Sequence, residues 1–161
     1  MSSGKAYFGR RVGLSASHRL HCDALSLEEN RAVYGKCNNP HGHGHNYVVE
    51  VLVGGTVNPE TGMVVNLAAL DEALRTKVLE RFDHTNLNLD PLFLNQAPTT
   101  ENLCRVVFEL LKDAMPAGEL ECVRVEETEN NFFEYYGPPA VGQTLAGGSQ
   151  GADCGERGSA G

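Results

Sequence analysis

The segment from Gly35 to Tyr47, GKCNNPHGHGHNY, is the part of the chain richest in side chains that bind metals or move protons. His43 and His45 lie two residues apart within it. If a strand begins there, residues i and i+2 project from the same face, so both imidazoles can contact one metal ion. Imidazole is a common ligand of zinc and of other transition metals. The spacing therefore favours a metal site at the head of a strand.

A third histidine, His18, ends an alternating segment that predicts the first strand, residues 7–18. Its apolar side chains and His18 share one face of that strand. If this strand pairs antiparallel with a strand at 43–53, its last residue lies beside the first residue of its neighbour. His18 then joins His43 and His45. Three protein ligands with a fourth position open are typical of a catalytic zinc site.

Three further side chains near these histidines could bind the same ion. His21 follows the predicted strand and His41 lies in the loop. We therefore expect both either to be solvated or to contact the ligands without binding the ion. Cys37 lies in the polar loop beside Lys36, and a nearby cation or metal lowers the pKa of a thiol. It is either a fourth ligand, which would close the site, or a free base beside the metal. We favour the base, because loop cysteines that only coordinate metal usually come in pairs.

Carboxylates and one more histidine stand at positions where they could take part in proton transfer. Asp83 and His84 lie between the predicted helices, and a carboxylate that orients an imidazole near a thiol follows the logic of a catalytic triad. Glu127 continues the apolar face of a predicted strand, where a carboxylate needs a partner or a ligand. Glu101 lies in a first helical turn, where the helix dipole favours an anion.

The elements that must position these side chains follow the order β-β-α-α-β-β. This order predicts an α+β domain with two helices on one face of an antiparallel sheet. Asn66 and Thr99 are the expected N-caps of the helices. The remaining predicted segments are a polar connection at 19–42, strands at 120–128 and 131–136, and a helix stop at Pro116 and Gly118. We expect one catalytic domain, 1–137, and a disordered Gly- and Ser-rich tail, 138–161.

Composition excludes several classes of partner. The chain has 161 residues, of which 41% are hydrophobic, so it fits one domain with a real core. Its net charge is −8, and the sequence contains no block of Lys or Arg. Both observations argue against a nucleic acid or an anionic membrane as partner. No stretch approaches the ~20 apolar residues of a membrane span. The N-terminal residues lack the apolar core of a signal peptide, so we expect a cytoplasmic protein.

Taken in order, the motifs closely resemble those of the 6-pyruvoyl-tetrahydropterin synthase family. The matching segments span roughly 7–137 and are SASHRL (15–20), GKCNNP (35–40), GHGHNY (42–47), NPETGMVVNLAAL (58–70), DHTNL (83–87), TTEN (99–102) and VEETENN (125–131). The resemblance implies the tunnelling fold (T-fold), in which subunits join their sheets into an oligomeric barrel. It also implies a homohexamer, a dimer of trimers, with active sites between subunits.

The family further implies a reaction and roles for particular residues. The reaction is the zinc-dependent conversion of 7,8-dihydroneopterin 3'-triphosphate to 6-pyruvoyl-tetrahydropterin with loss of triphosphate, in tetrahydrobiopterin biosynthesis. It needs no nicotinamide or flavin, because oxidation and reduction occur within one molecule. By resemblance the residues are the zinc ligands His18, His43 and His45, with one ion per subunit; the base Cys37; its triad partners Asp83 and His84, from across a subunit interface; and the pterin-binding residues Thr100, Glu101 and Glu127, of which Glu127 also relays protons.

Two departures from the family pattern and two alternative functions remain. Leu14 stands where an aromatic is common, and His41 stands where Asn is expected. The nearest alternative is the sister enzyme 6-carboxy-tetrahydropterin synthase of the queuosine pathway, whose cysteine usually lies closer to the first histidine of the pair than Cys37 lies to His43. The other alternative is a non-catalytic, zinc-stabilised interaction domain in which Cys37 is a ligand.

Overall fold

The structure, a computed structural model, describes residues 4–115 and 119–139. The strands and helices in chain order are β1 (Lys5–His18), α1 (Leu27–Tyr34), β2 (His43–Thr56), α2 (Leu67–Leu74), α3 (Glu80–Phe82), β3 (Thr85–Asn86), α4 (Thr100–Lys112), β4 (Glu119–Thr128) and β5 (Asn131–Tyr135). A turn of π-helix joins α2 to α3, and a turn of 3-10 helix, Gly35–Asn38, follows α1.

The strands form a sheet in the order β3-β1-β2-β4-β5. β1 and β2 pair antiparallel along their whole length, from Lys5 opposite Thr56 to His18 opposite His43. β4 and β5 extend the sheet antiparallel, while the two-residue β3 runs parallel to β1. The predicted α+β architecture is therefore confirmed, but the sheet is mixed, not purely antiparallel.

Alternation along the strands creates the buried face on which the helices pack. In β1 burial rises toward the C-terminal end, where Leu14, Ala16 and His18 are all buried. β2 contributes its own run of inward side chains, from Tyr47 to Val53. Period-2 alternation places these residues on one face, against which the helices pack.

Both predicted helix starts are confirmed by their caps. The Asn66 side chain accepts a hydrogen bond from the Ala69 amide at 3.1 Å, and Thr99 accepts one from the Asn102 amide at 3.2 Å. Such caps satisfy amides that have no partner inside the helix. The buried side chains of α2 and α4 join the apolar core of the sheet, so these helices cover the same face.

The connection at 19–42 is more ordered than its composition suggests. It contains α1, whose N-terminus carries a reciprocal capping box between Ser26 and Glu29. Only Asn30 of α1 is buried, so this helix has no apolar stripe that periodicity could reveal. The capping box itself, Ser followed by Glu three residues later, was the available sequence signal.

The predicted segments near the C-terminus fall partly outside the described residues. α4 ends at Lys112, and the predicted stop at 116–118 is not described. Of the predicted tail, 138–161, only 138 and 139 are described. Within 4–115 and 119–139, none of the helices combines the length and apolar character needed to cross a membrane.

Candidate active site

Three imidazoles meet where the end of β1 lies beside the start of β2. The strand register pairs His18 with His43, and Ala16 with His45. The ring centroid of His18 lies 4.7 Å from that of His43 and 5.1 Å from that of His45, and the latter two are 4.7 Å apart. One ligating nitrogen from each ring lies within 4.8 Å of the others. The predicted convergence is therefore observed, and this group could hold a metal ion.

The ring of His18 is held in one orientation by the ring nitrogen that faces away from the other histidines. Only 1% of the residue is exposed, and its Nδ1 donates a hydrogen bond to the carbonyl oxygen of Pro98 at 2.8 Å. Because a carbonyl only accepts, this bond places the proton on Nδ1 and leaves Nε2 unprotonated toward the other histidines. The hydroxyl of Tyr47 lies 3.4 Å from the same Nδ1. A ligand histidine fixed through its second nitrogen is the usual arrangement in metal sites.

His45 supplies an independent test of whether the site fits a metal. Its Nε2 is buried and has no hydrogen-bond partner among the described residues. Burial lowers the pKa of both His45 and His18, which favours the neutral imidazoles that bind metals. A buried nitrogen without a partner is costly unless a ligand occupies it. The three side chains therefore fit an ion that binds nitrogen.

Glu127 faces this cluster from β4 and is itself held on both oxygens. Thr100 donates to its Oε1 and Asn131 donates to its Oε2, each at 2.8 Å. Oε1 lies 3.5 Å from His45 Nε2 and 3.9 Å from His18 Nε2. Burial raises the pKa of Glu127, but these hydrogen bonds and the histidines together outweigh burial, so the pKa is lowered. The group is a carboxylate at neutral pH.

Cys37 lies in the turn of 3-10 helix after α1 and lines an open cleft of about 1010 Å³ together with His43 and His45. Its carbonyl accepts a hydrogen bond from the Leu20 amide at 2.8 Å. Burial raises the pKa of the Cys37 thiol, and the charge of Glu127 raises it further. Among the described residues, Cys37 does not belong to the group that could share an ion. The geometry thus favours a thiol beside the histidines over a fourth ligand.

Asp83 and His84 lie apart from Cys37 within one chain. Asp83 accepts a hydrogen bond from the Ser15 amide at 2.8 Å, and the His84 amide donates to the Ser15 carbonyl at 2.6 Å. His84 has a φ of 58°, its side chain is 82% exposed, and its Nε2 lies 3.7 Å from Asp83 Oδ2. Neither residue lines the cleft of Cys37. Within one chain, the structure therefore does not bring the predicted triad together in this cleft.

The remaining predicted residues divide between buried and exposed positions. Thr100 is buried against Glu127, whereas Glu101, its neighbour in the first turn of α4, is exposed. His21 contacts the side chain of Asn38 at 3.0 Å, and His41 is exposed. Among the described residues, neither belongs to the group of histidines that could hold a metal ion.

Sequence reasoning missed the residues that hold the site in place through single hydrogen bonds. Asn38 donates to the Leu20 carbonyl at 2.7 Å and fixes the turn that carries Cys37. Asn131 and the carbonyl of Pro98 position Glu127 and His18. The only available signal was the presence of Asn38 and Asn131 inside motifs already singled out, because a backbone carbonyl has no sequence signature.

Comparison with known proteins agrees with this geometry. The sequence profile described as 6-pyruvoyl tetrahydropterin synthase matches residues 8–138. The 6-pyruvoyl tetrahydrobiopterin synthase of Homo sapiens is 46% identical over 134 residues, which cover 83% of this chain and 92% of the relative. The Drosophila melanogaster protein of the same name is 45% identical over 135 residues, covering 83% of this chain and 80% of the relative.

A solved structure supports the same assignment. The Caenorhabditis elegans 6-pyruvoyl tetrahydropterin synthase superposes with a TM-score of 0.80 at 42% identity, covering 84% of this chain and 98% of that chain. Sequence, fold and the group of three histidines point to the same relatives. The chain belongs to the 6-pyruvoyl tetrahydropterin synthase family.

Proposed function

We propose that the chain converts 7,8-dihydroneopterin 3'-triphosphate to 6-pyruvoyl-tetrahydropterin and inorganic triphosphate, as a lyase of tetrahydrobiopterin biosynthesis. The observation that supports this proposal most strongly is the group of His18, His43 and His45 at the edge of a cleft that Cys37 lines. The reaction is an internal redox exchange followed by elimination, so substrate and products balance without an external oxidant. The reaction as proposed needs no nicotinamide or flavin.

His18, His43 and His45 would hold one zinc ion per subunit through their ring nitrogens. The buried Nε2 of His45, which has no hydrogen-bond partner among the described residues, and the fixed ring of His18 support this assignment. When bound, the ion would act as a Lewis acid on the side-chain hydroxyls of the substrate and would favour the thiolate of Cys37 through its charge. An all-imidazole ligand set suits zinc, as in catalytic sites with three histidines, and it also suits copper, iron and nickel.

Cys37 Sγ would accept the proton from the substrate carbon beside the bound hydroxyls. Its place on the cleft wall, outside the group of histidines, leaves the sulfur free to do so. A base must be close to the proton that it abstracts and must be deprotonated when it acts. His84, oriented by Asp83, would receive the proton from Cys37 of a neighbouring subunit and return it during the cycle.

Glu127 would bind the pterin ring and relay protons. The amino group and the N3–H of a pterin are parallel donors, which one carboxylate can accept together. Thr100 and Asn131 already orient Glu127, and its pKa is lowered, so it is an acceptor at neutral pH. Glu101 is exposed in the isolated subunit, and its contribution would come from the assembled oligomer.

We also propose assembly as a homohexamer, a dimer of trimers, in which the triad forms between subunits. Cys37 faces the cleft, whereas the side chain of His84 is exposed elsewhere on the subunit. In the proposed site, another subunit would bring His84 to Cys37. A cytoplasmic location stays a prediction from the sequence.

The two alternatives predict different observations. A zinc-stabilised interaction domain needs Cys37 as a closing ligand, and the three-histidine group without Cys37 argues against it. The 6-carboxy-tetrahydropterin synthase shares the substrate and the metal site, but the longer separation of Cys37 from His43 favours the pyruvoyl product.

The decisive experiment is incubation of the zinc-loaded protein with dihydroneopterin triphosphate. We expect release of inorganic triphosphate and a product whose mass includes the full three-carbon side chain. A product with a single carboxyl group in place of that side chain would establish the sister activity instead. Folded, zinc-loaded protein that releases no triphosphate would contradict the proposal.

A further inference from the structure

The described lysines and arginines fall into two groups according to their partners. Most pair with a carboxylate, as Arg10 does with Asp71 at 2.8 Å and Arg81 with Asp90 at 2.8 Å. The described basic side chains that pair with no carboxylate are Arg19, Arg31, Lys36, Lys77 and Arg105. In a chain with a net charge of −8, an unpaired basic side chain is the exception.

Three of these exceptions line one cleft, the cleft of Cys37. Arg31 projects from α1, Lys36 precedes Cys37 in the next turn, and Arg19 follows the end of β1. None of the residues that line this cleft is acidic. Unpaired cations gathered on low-dielectric walls create a local positive potential that attracts anions, whatever the net charge of the chain.

Arg19 contacts residues beside the turn that carries Cys37. Its Nε lies 3.5 Å from the carbonyl oxygen of Asn38, and one terminal nitrogen lies 3.4 Å from His21 Nδ1. Asn38 also holds the turn that carries Cys37, so the same amide residue couples the position of Arg19 to that of the thiol. Arg31 and Lys36 are exposed and contact no acid, so their charges remain available to a ligand.

We propose that Arg19, Arg31 and Lys36 bind the triphosphate group of the substrate and retain it as the leaving group departs. This inference rests on the proposed function, which makes a triphosphate ester the substrate. Arginine binds phosphate oxygens in pairs and lysine binds them as a point charge, so the three side chains suit a polyphosphate. His43 and His45 line the same cleft, so the reacting side chain and its phosphates would bind side by side.

The test compares Arg31→Gln with Lys77→Gln, which removes a charge of the same sign from an unpaired lysine outside the cleft. Binding of inorganic triphosphate is measured by calorimetry at low salt, with the zinc content checked afterwards because triphosphate chelates metals. We expect Arg31→Gln to weaken binding about tenfold or more, as loss of a charge-assisted hydrogen bond does. Lys77→Gln should leave binding unchanged, and Arg31→Lys should restore part of it.

Kinetics with dihydroneopterin triphosphate separate the two proposals. If the phosphate site is correct, Arg31→Gln and Lys36→Gln raise KM by more than they lower kcat, and inorganic triphosphate becomes a weaker competitive inhibitor. Turnover with unchanged inhibition by triphosphate in Arg31→Gln would overturn the phosphate site and leave the proposed function standing. Triphosphate binding that depends on Arg31 in a protein without turnover would do the reverse. Because Lys36 adjoins Cys37, the Arg31 variants decide between these outcomes.

Discussion

The two walls of the cleft are built by different means. The histidine wall stands on β1 and β2, which pair residue by residue from Lys5 to His18. The other wall, called here the loop wall, consists of α1 and the turn after it. It buries little apolar surface and depends on the side chains of Asn30 and Asn38. Asn30 alone accepts from the Cys22 amide and donates to the carbonyls of Cys22, Leu25 and Ser26.

Because of this difference, we expect the two walls to differ in how well they tolerate mutations. A strand ladder distributes its hydrogen bonds over many residues, so the positions of the histidines do not depend on any one of them. A wall held by buried amides depends on each amide, because removal of one leaves several backbone groups without partners. We therefore expect mutations to separate metal binding from proton transfer along this division.

The largest effect should come from His45→Ala. Loss of one of three ligands should weaken metal binding enough for dialysis to remove the ion, and with it all measurable turnover. Metal content after dialysis, measured by atomic emission, tests this directly. His21→Ala is the matched control, because His21 is nearby but outside the metal-binding group. Full metal content in His45→Ala would contradict the assignment of the histidine wall.

Cys37→Ala should leave the metal in place and lower kcat by roughly 10²–10⁴-fold, the usual contribution of a general base. The neighbouring exposed Asn39, changed to Ala, controls for general disturbance of the turn. Loss of zinc from Cys37→Ala would show that the sulfur is a ligand and would join the two walls into one metal site.

The sequence was sufficient for the histidine wall. Alternation in β1 and the His43-x-His45 pair give strand directions and faces, and antiparallel pairing then brings His18 to them. Glu127 was predicted by the same logic, as the polar end of an apolar strand face, and it faces His45. Periodicity encodes these positions because each lies on a regular strand.

The loop wall could not be derived in this way. Asn38 holds Leu20 through a backbone carbonyl, and α1 has no apolar stripe, so neither leaves a periodic signal. Asp83 and His84 show a second limit. Their adjacency suggested a triad, but hydrogen bonds to the Ser15 backbone set their positions, and neither lines the cleft of Cys37 within the subunit. Single hydrogen bonds to the backbone decide these positions, and residue types alone do not reveal them.

Subunit mixing tests whether the triad is shared between chains. His84→Ala alone should lower kcat by about 10²-fold or more, as loss of a proton-transfer group does. Co-expression of Cys37→Ala with His84→Ala should restore turnover in up to about one site in four, from random assortment of subunits in a symmetric oligomer. The isolated variants, mixed without exchange of subunits, provide the control. No recovery in co-purified mixed oligomers would place both groups in one chain.

Asn38→Ala should weaken the loop wall without removing metal. The Leu20 carbonyl would lose its donor inside a mostly buried site, at a cost of about 1–3 kcal/mol in the free energy of unfolding. Denaturant unfolding measures this change, and kcat should fall because Cys37 is no longer held. Asn39→Ala is again the matched control, since Asn39 is exposed. An Asn38→Ala protein with unchanged stability and turnover would remove the distinction between the walls.

The smallest expected effect concerns the electrostatic link between the walls. Burial raises the pKa of the Cys37 thiol first, and the negative charge of Glu127 raises it further. Glu127→Gln should lower that pKa, so at a pH below it the thiolate fraction rises and alkylation of Cys37 by iodoacetamide accelerates, by less than about tenfold. The measurement uses protein stripped of metal, so that no ion dominates the charge. Thr100→Val, which removes a hydrogen bond from Glu127 but keeps its charge, is the control. Slower alkylation in Glu127→Gln would mean that the carboxylate acts on the thiol as a base and not as a repelling charge.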